Sequence, residues 1–406
     1  MSGEASKPAI LIVGGLGTIN ISLDQKTSMS TSSWGGGGRL TRCVKRTTGF
    51  LGRFLALFIH ENNLASEVRI VDKLLPQLAW LTPEFNVACS QDKFVQADAS
   101  REQSFPRIFD RANGAQFDYV INCGGESRMS QPEDVYRLRS HALSVALGKE
   151  AARRGVRAFI ECSTATVYKS DREQCKEDAK IKPWFALSKW KYQAEEDLRK
   201  IPGLNLCILR FPHVYGEYDR GLLTTVICMG RAYMELNKPI SFLKTGSQPM
   251  NTVYVKDAAR ALWRAAEWRA NKGPSTSGDP VVFNIVDHNN TTKGDLAEGL
   301  KKAFGIEYSF VGTMMTQVVN LNLDEIIDEM NEECLQIWAE LLNEKQIERP
   351  GPISPFLERD AIKDGDLLID GSLFEQTTGF TYDRPTLAKD WIQPVVESFK
   401  RLGWWP

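Results

Sequence analysis

The feature that most constrains the fold of this chain is a short apolar run that ends directly in glycines. Residues 9–13 read AILIV, and Gly14 and Gly15 follow at once. A continuous apolar run of this length predicts a strand buried on both faces, as the strands of parallel sheets are. Glycines at the end of such a strand are typical of a tight turn that leads into a helix. The sequence therefore predicts that this strand opens a parallel α/β sheet.

The glycine motif that this junction predicts is interrupted. Residues 16–47 are rich in Ser, Thr and Gly, and they show neither helical nor strand periodicity. The segment TGFLG at 48–52 comes next, and a strongly helical stretch follows it. If residues 16–47 are left out, Gly14, Gly49 and Gly52 fall in GxxGxxG order. We therefore expect this segment to be a disordered or artefactual insert.

A GxxGxxG turn suits the diphosphate of a dinucleotide, because its glycines let the backbone approach the phosphates and the next helix offers free N–H groups. A second predicted strand, EVRIVD, ends at Asp72, about twenty residues after Gly52. A carboxylate at that place accepts hydrogen bonds from the adenosine ribose, which favours NAD over NADP. Lys73 beside it keeps NADP open as an alternative.

Further apolar strands alternate with helical segments, and this pattern indicates a parallel sheet covered by helices. A third strand ends at Asp98, and a fourth, FDYVIN at 117–122, is followed by Cys123, Gly124 and Gly125. Small residues at the end of a strand let a cofactor lie against the backbone. We predict an α/β fold with a doubly wound parallel sheet.

The chain is long enough for more than one core. We predict a dinucleotide-binding domain over residues 1–215, which contains the insert. Residues 216–406 should form mainly a smaller substrate-binding lobe, with some segments returning to the core domain. Within that lobe, residues 318–346 show the acidic and apolar pattern of an amphipathic helix, which would serve as a lid or a packing helix.

Composition disfavours several classes of function. The 50 basic and 51 acidic residues leave a net charge of −1, so there is no broad basic field for nucleic acid. No apolar run approaches the ~20 residues that cross a bilayer, and the N-terminus lacks the pattern of a signal peptide. The 8 cysteines form no CxxC pair and the histidines number 4, which disfavours a structural metal site. We expect a cytoplasmic protein that binds a small-molecule substrate.

Taken together, the motifs resemble those of the extended short-chain dehydrogenases, in the group that contains the NAD-dependent epimerases/dehydratases and the 3β-hydroxysteroid dehydrogenases. The likeness covers nearly the whole chain apart from the insert and roughly residues 310–360. It implies a Rossmann-type fold, bound NAD and hydride transfer through the nicotinamide, and a homodimer as in many relatives. The motifs occur in the order of that family: TGFLG, Asp72, Asp98, STATVY at 163–168, Ser188-Lys189, LRFPHVYG at 209–216 and NTVYVKDAARAL at 251–262.

The resemblance implies a set of residues in contact with the cofactor. They are the glycine turn, the two acids at strand ends, the small residues after the fourth strand and one lysine of a later helix: Gly14, Gly15, Gly49, Phe50, Leu51, Gly52, Asp72, Asp98, Cys123, Gly124, Gly125 and Lys189.

The resemblance also implies a catalytic hydroxyl, a tyrosine and a lysine four residues after the tyrosine. Thr164 matches the hydroxyl and Lys189 the lysine, but the tyrosine position is Phe185. Phenylalanine carries no proton, and general acid–base assistance is worth about 10²–10⁴ in rate. Two interpretations therefore stay open. One is an oxidoreductase or epimerase with another proton source, and the other is a catalytically silent NAD(P)-binding regulatory or scaffold protein.

Candidate substrate contacts are Ser163, His213 and Met250. Nucleotide-sugar members of the family tend to have Asn where His213 stands and a phosphate-binding Arg near Met250. A thioether cannot offer the bidentate fork that a guanidinium offers to a diphosphate. These departures weaken a nucleotide-sugar assignment, and VYV at 253–255 looks equally like the hydroxysteroid branch.

Overall fold

The structure is a computed structural model, and it describes residues 6–14, 49–79, 81–112, 114–170, 173–273, 281–313, 316, 322–362 and 365–406. The predicted insert at 16–47 and the predicted cofactor contact Gly15 lie outside the described residues.

Strands form where the sequence has short apolar runs, and most of them belong to one sheet. Seven of the described strands lie side by side in the order β10-β6-β5-β4-β1-β2-β3, and all neighbouring pairs are parallel. Two short parallel pairs, β8 with β11 and β7 with β9, lie outside this sheet. The strands are β1 (Ala9–Val13), β2 (Glu67–Asp72), β3 (Phe94–Gln96), β4 (Tyr119–Asn122), β5 (Ala158–Thr164), β6 (Leu206–Phe211), β7 (His213–Tyr215), β8 (Ile240–Phe242), β9 (Thr252–Tyr254), β10 (Val282–Asn284) and β11 (Tyr308–Phe310).

Helices follow most of the strands, and one π-helical turn over 137–141 joins α4 to α5. The helices are α1 (Phe50–Glu61), α2 (Pro83–Ala88), α3 (Phe105–Phe109), α4 (Glu133–Tyr136), α5 (Ala142–Arg153), α6 (Ala186–Arg199), α7 (Leu222–Leu236), α8 (Val255–Lys272), α9 (Lys293–Phe304), α10 (Leu323–Glu344), α11 (Ser372–Thr378) and α12 (Ile392–Arg401).

Two apolar layers cover the sheet, because successive side chains of a strand point to opposite faces. In β1, Ile10 and Ile12 belong to a cluster that contains residues of α1 and α8. Leu11 and Val13 belong to a second cluster with residues of α3, α5 and α6. The chain runs outward from β1 through β2 to β3 and then restarts at β4 on the other side of β1. This order confirms the predicted Rossmann-type, doubly wound α/β fold.

Segments late in the chain return to the main sheet. β10 extends it beside β6, and α8 contacts β4, β5 and β6. Among the other late elements, α7 contacts α9 and α10, and α9 contacts α12. The helix predicted over 318–346 is observed as α10. No helix in the described part of the chain is long and apolar enough to cross a membrane.

One buried ion pair ties α6 to the sheet. The guanidinium of Arg210, at the end of β6, donates to both carboxylate oxygens of Glu195, at 2.5 and 3.1 Å. Both side chains are almost fully buried, and the hydroxyl of Ser163 also donates to Glu195. Arg210 donates further to the Tyr168 hydroxyl at 2.8 Å, so Tyr168 has a structural role. These contacts fix the rotation of α6 about its own axis.

Removal of one member of this pair should destabilise the protein strongly. Glu195→Ala leaves the Arg210 guanidinium buried without its counter-charge, and the free energy of unfolding should fall by about 3–5 kcal/mol. The neighbouring Glu196 is 38% exposed, so Glu196→Ala should change the free energy of unfolding by less than about 0.5 kcal/mol. Urea denaturation of both variants measures the difference. Equal losses would show that the pair does not anchor the helix.

Candidate active site

A first cleft lies between the ends of the parallel strands β1 and β4. After β1 the chain continues to β2 on one side of the sheet, and after β4 it continues to β5 on the other side. Ligand sites of open α/β sheets form at this place, beyond the carboxyl ends of the strands. The loops after β1, β2, β3 and β4 enclose about 500 Å³, including space open to solvent. The predicted contacts Gly14, Asp72, Asp98, Gly124 and Gly125 all line it.

The floor of this cleft is bare backbone. Gly14 has a φ of 77°, a conformation that favours glycine, and a Cβ built on it would lie 2.5 Å from the Cα of Gly124. A Cβ on Gly125, where φ is 134°, would lie 3.2 Å from the Ser140 hydroxyl and 3.3 Å from the Lys191 ammonium nitrogen. The main chain packs closely at both positions, so both residues must be glycine, and neither places a side chain in the cleft that they line.

The predicted glycine turn enters the first turn of α1. Gly49 precedes the helix with a φ of 92°, and Phe50, Leu51 and Gly52 are its first three residues. Gly52 is buried, as the close packing of helix on strand requires. Leu51 lines a second cleft, described below. Gly49 has a glycine-favouring conformation before the helix, whereas contact of Gly49, Phe50 and Gly52 with a cofactor stays a prediction.

The two strand-end acids of the first cleft differ in their surroundings. Asp72 is buried at the end of β2, and one of its oxygens accepts a hydrogen bond from the Leu74 amide at 3.0 Å. Asp98 accepts from the Ser100 hydroxyl at 2.6 Å and from the Lys73 ammonium at 2.9 Å. Burial alone would raise the pKa of Asp98, but these hydrogen bonds outweigh it and lower that pKa. Lys73 is thus directed at Asp98.

A second cleft continues from the first along the ends of β4 and β5 toward α6 and β7. It encloses about 1090 Å³, including space open to solvent. Its lining includes the predicted residues Cys123, Gly124, Gly125, Ser163, Thr164, Phe185 and His213, and also Cys162, Thr166, Leu187, Lys191 and Leu222.

The lysine in this cleft is Lys191, and the prediction that Lys189 faces the cofactor is wrong. The Lys191 ammonium donates to the carbonyl oxygen of Cys162 at 2.8 Å and to that of Gly124 at 3.4 Å. The Lys189 side chain is 62% exposed, and its ammonium pairs with Glu133 on α4. Two residues along a helix correspond to a rotation of about 200°, so the two lysines lie on opposite sides of α6.

The register of α6 explains this difference. Glu195 is four residues after Lys191, and both lie on the face that the Arg210 ion pair turns toward the sheet. The buried residues Ser188, Ala194 and Leu198 mark the same face. Because their spacing of three and four residues is visible in the sequence, it could have identified Lys191. The Ser188-Lys189 motif alone could not.

The tyrosine position shifts with the lysine. Four residues before Lys191 is Leu187, whereas Phe185 is four residues before Lys189. Both side chains line the second cleft, and Phe185 precedes α6 with an extended backbone. The helix begins at Ala186. Neither side chain carries a proton, and no tyrosine is among the described residues that line the cleft.

A chain of hydroxyl groups leads from the cleft into α6. The hydroxyl oxygens of Thr164 and Thr166 are 2.9 Å apart, and that of Thr166 is 2.6 Å from the buried Ser188 hydroxyl. The hydroxyl of Ser163 instead donates to Glu195 beneath the helix. Thr164 itself lines the second cleft. The Ser163 hydroxyl, a predicted substrate contact, is engaged in the core.

A buried carboxylate lies beneath the Lys191 ammonium. Glu161, in β5, accepts from the amide of Asn122 at 2.7 Å and from the hydroxyl of Ser144 at 2.8 Å. The Lys191 nitrogen is 3.5 Å from Glu161, and only 11% of the lysine side chain is exposed. Burial raises the pKa of Glu161, although the ammonium and the hydrogen bonds oppose that rise. Sequence reasoning missed this residue, because a glutamate within an apolar strand carries no known motif.

Two thiols meet at the floor of the second cleft. The Sγ atoms of Cys123 and Cys162 lie 3.7 Å apart, at the ends of the adjacent strands β4 and β5. The hydrogen bond with Cys123 and then burial raise the pKa of Cys162. The Cys162 thiol is therefore a neutral neighbour of the ammonium. Within the described ranges, no group of three His, Cys, Asp or Glu side chains could hold a metal ion.

The remaining predicted substrate contacts border an apolar cavity beside the second cleft. His213 lines both spaces, whereas Met250 is 6% exposed and lines only the apolar cavity. This cavity encloses about 940 Å³, including space open to solvent, between α7, β8 and α10. His213 is thus at the junction of a polar and an apolar space.

This arrangement fits a dinucleotide laid across the carboxyl edge of the sheet. Asp72 offers an acceptor for a ribose at one end, the glycine floor admits the diphosphate, and Lys191 offers a donor at the other end. The fit rests on the cleft that Gly14, Gly124 and Asp72 line together at this edge.

Comparison with known structures supports this fold. Pal from Bacillus thuringiensis matches with a TM-score of 0.64 at 15% identity, over 97% of this chain and 99% of that one. UDP-glucuronic acid 4-epimerase from Bacillus cereus, in complex with UDP-glucuronic acid and NAD, matches with a TM-score of 0.61 at 16% identity, over 97% and 99%. UDP-N-acetylglucosamine 4-epimerase from Methanobrevibacter ruminantium, in complex with UDP-N-acetylmuramic acid, matches with 0.62 at 15%, over 98% and 99%. At such identities the likeness shows the fold alone.

Comparison of sequences gives the family. No curated protein matches the chain. The model of the NAD dependent epimerase/dehydratase family matches residues 47–285, which is more than half of the 406 residues. This range begins at the last residue of the predicted insert, and it contains Lys191 and the residues of both clefts except Val13 and Gly14. The chain belongs to the NAD dependent epimerase/dehydratase family.

Proposed function

We propose that this protein transfers a hydride between the nicotinamide of NAD and a carbon atom of a small-molecule substrate, as an oxidoreductase or an epimerase/dehydratase. The family consists of NAD-dependent enzymes, so NAD is the cofactor. The observation that carries the proposal is the Lys191 ammonium, which lies at the ends of β4 and β5 in the same cleft as Thr164 and His213.

NAD, when bound, supplies the group that accepts or donates the hydride. Asp72 would accept hydrogen bonds from the adenosine ribose, and Gly14, Gly124 and Gly125 would admit the diphosphate to the main chain. Lys191 would donate to the nicotinamide ribose. In this position it would act as a cofactor-binding residue, because the tyrosine whose pKa the family lysine lowers is replaced by Leu187.

The proton that accompanies the hydride needs another carrier. Among the described residues of the second cleft, His213 is the one imidazole, and the ordinary pKa of histidine suits proton transfer near neutral pH. The hydroxyl of Thr164 would hold the substrate oxygen, and His213 would donate a proton to that oxygen or accept one from it. The mutual support of Thr164, Thr166 and Ser188 keeps that hydroxyl in place.

Lys191 and Lys189 form a matched pair for testing the cofactor site. Lys191→Gln removes a charged donor, which is worth about 1.5–3 kcal/mol, so the Kd for NADH should rise by about tenfold or more. Lys189→Gln removes an exposed pair worth ~0–1 kcal/mol and should leave the Kd within about twofold. NADH fluorescence titration measures both. A larger loss in the Lys189 variant would contradict the assignment, and thermal unfolding without NADH would reveal a loss of folding.

Asp72 should set the preference for NAD over NADP. Asp72→Asn keeps an oxygen for the Leu74 amide but removes the negative charge that would repel a 2′-phosphate. The ratio of NADPH Kd to NADH Kd should therefore fall by about tenfold or more. Asp134→Asn, on an 80% exposed side chain of α4, should leave the ratio unchanged. Fluorescence titration of both variants with NADH and with NADPH measures the ratio. An unaltered ratio in Asp72→Asn would contradict the role of Asp72 in selecting NAD.

His213 should control turnover without controlling cofactor affinity. His213→Asn should lower kcat for NADH-dependent carbonyl reduction by about 10² or more, with the Kd for NADH within about twofold of the parent. Leu187→Tyr in that background places a phenol four residues before Lys191 and should restore part of the activity. Full turnover in His213→Asn would exclude the histidine as proton carrier. NADH binding without turnover of any carbonyl compound by the parent would instead support a silent regulatory or scaffold protein.

A further inference from the structure

We infer that the substrate is an uncharged, largely apolar ketone or secondary alcohol, whose body fills the apolar cavity beside the second cleft. This inference rests on the proposed function and specifies its substrate class. It replaces the nucleoside diphosphate sugar that the structural neighbours with UDP-sugar ligands would suggest.

The wall of the cavity consists mainly of apolar side chains from several elements. Val226 and Met229 of α7, Ile240 and Phe242 of β8, and Ile327 and Met330 of α10 are representative. The space that these side chains border is about 940 Å³, including space open to solvent. The thioethers of Met229, Met250 and Met330 can adapt to an irregular apolar surface. The wall therefore suits a bulky hydrocarbon body.

The cavity adjoins the site of reaction. His213 and Leu222 line both the apolar cavity and the second cleft. A molecule that places its oxygen at Thr164 and His213 can therefore extend past Leu222 into the cavity. At its far side, Ile326 lines the cavity and is 43% exposed, so a ligand can enter there from solvent.

The charges around the cavity do not suit a diphosphate. A diphosphate carries negative charges whose burial is costly unless cations or hydrogen bonds compensate for them. Among the described residues of the wall, Lys293 is the one lysine and none is an arginine. Arg128 and Arg220 line a neighbouring recess, and the Arg128 guanidinium is held by Glu126 at 2.8 and 2.9 Å.

The polar atoms at the cavity are few and partly engaged. The hydroxyl of Ser241 is 2.9 Å from that of Ser309 on the neighbouring strand β11. His213 lines both the apolar cavity and the second cleft, so among the polar side chains of the cavity it is the one that borders the reaction site. A ligand with an apolar body and one polar group at one end matches this distribution of polar atoms.

The experiment compares two probes on the full chain loaded with NADH. They are 4-cyclohexylcyclohexanone, an uncharged ketone, and UDP-glucuronic acid, a charged nucleotide sugar. Calorimetry should show that the ketone binds about tenfold or more tightly than the nucleotide sugar. Tighter binding of UDP-glucuronic acid, or no binding of the ketone, would overturn the inference.

Two methionine variants locate the bound ketone. Met330→Glu introduces a charge into the cavity wall and should weaken ketone binding by about tenfold or more. Met234→Glu introduces the same charge on an exposed side chain of α7 and should leave binding within about twofold. Unchanged ketone affinity in Met330→Glu would place the ligand elsewhere and overturn the inference.

A separate readout distinguishes this inference from the proposed function. The Kd for NADH should be the same in the parent, Met330→Glu and Met234→Glu, because the cavity is apart from the first cleft. If NADH binds but the ketone does not, the substrate class is wrong and the proposed function stands. If NADH does not bind to the parent, the proposed function fails, and the inference that rests on it fails with it.

Discussion

The buried ion pair between Arg210 and Glu195 is the interaction on which the arrangement of the site depends. It joins the end of β6 to the middle of α6, and it is too deeply buried to leave either charge alone without a large cost. Since it fixes the rotation of α6, it decides that Lys191 lies in the cleft and that Lys189 meets Glu133 outside it. The position four residues before the cleft lysine follows from the same rotation.

The buried ammonium of Lys191 needs hydrogen-bond acceptors and a negative charge close to it. The Lys191 ammonium is largely buried, and it is held by two backbone carbonyl oxygens with the Glu161 carboxylate 3.5 Å away. Glu161 in turn is satisfied by Asn122 and Ser144, so the polar network is closed inside an otherwise apolar sheet. The site thus has glycines and two acids in the first cleft, a buried ammonium in the second cleft and an apolar cavity beside it.

The fold could be predicted from the sequence because buried strands and intervening helices leave strong periodic signals. Asp72, Asp98, Gly14, Gly124 and Gly125 line the first cleft as expected, since residues at the ends of parallel strands meet at one edge.

The lysine was predicted incorrectly, because its position depends on a contact between Glu195 and Arg210 that only the paired sheet and helix bring together. The spacing of Leu187, Lys191, Ala194 and Leu198 carried that signal, and the adjacent Ser188-Lys189 motif obscured it.

The apolar cavity is lined largely by α7, β8 and α10, which are distant in the chain, so no local pattern could show it. Its meeting with the second cleft at His213 and Leu222 also makes the site modular. Changes on α10 can alter which molecules are accepted while the cofactor edge of the sheet stays intact, so substrate range and redox chemistry can evolve separately.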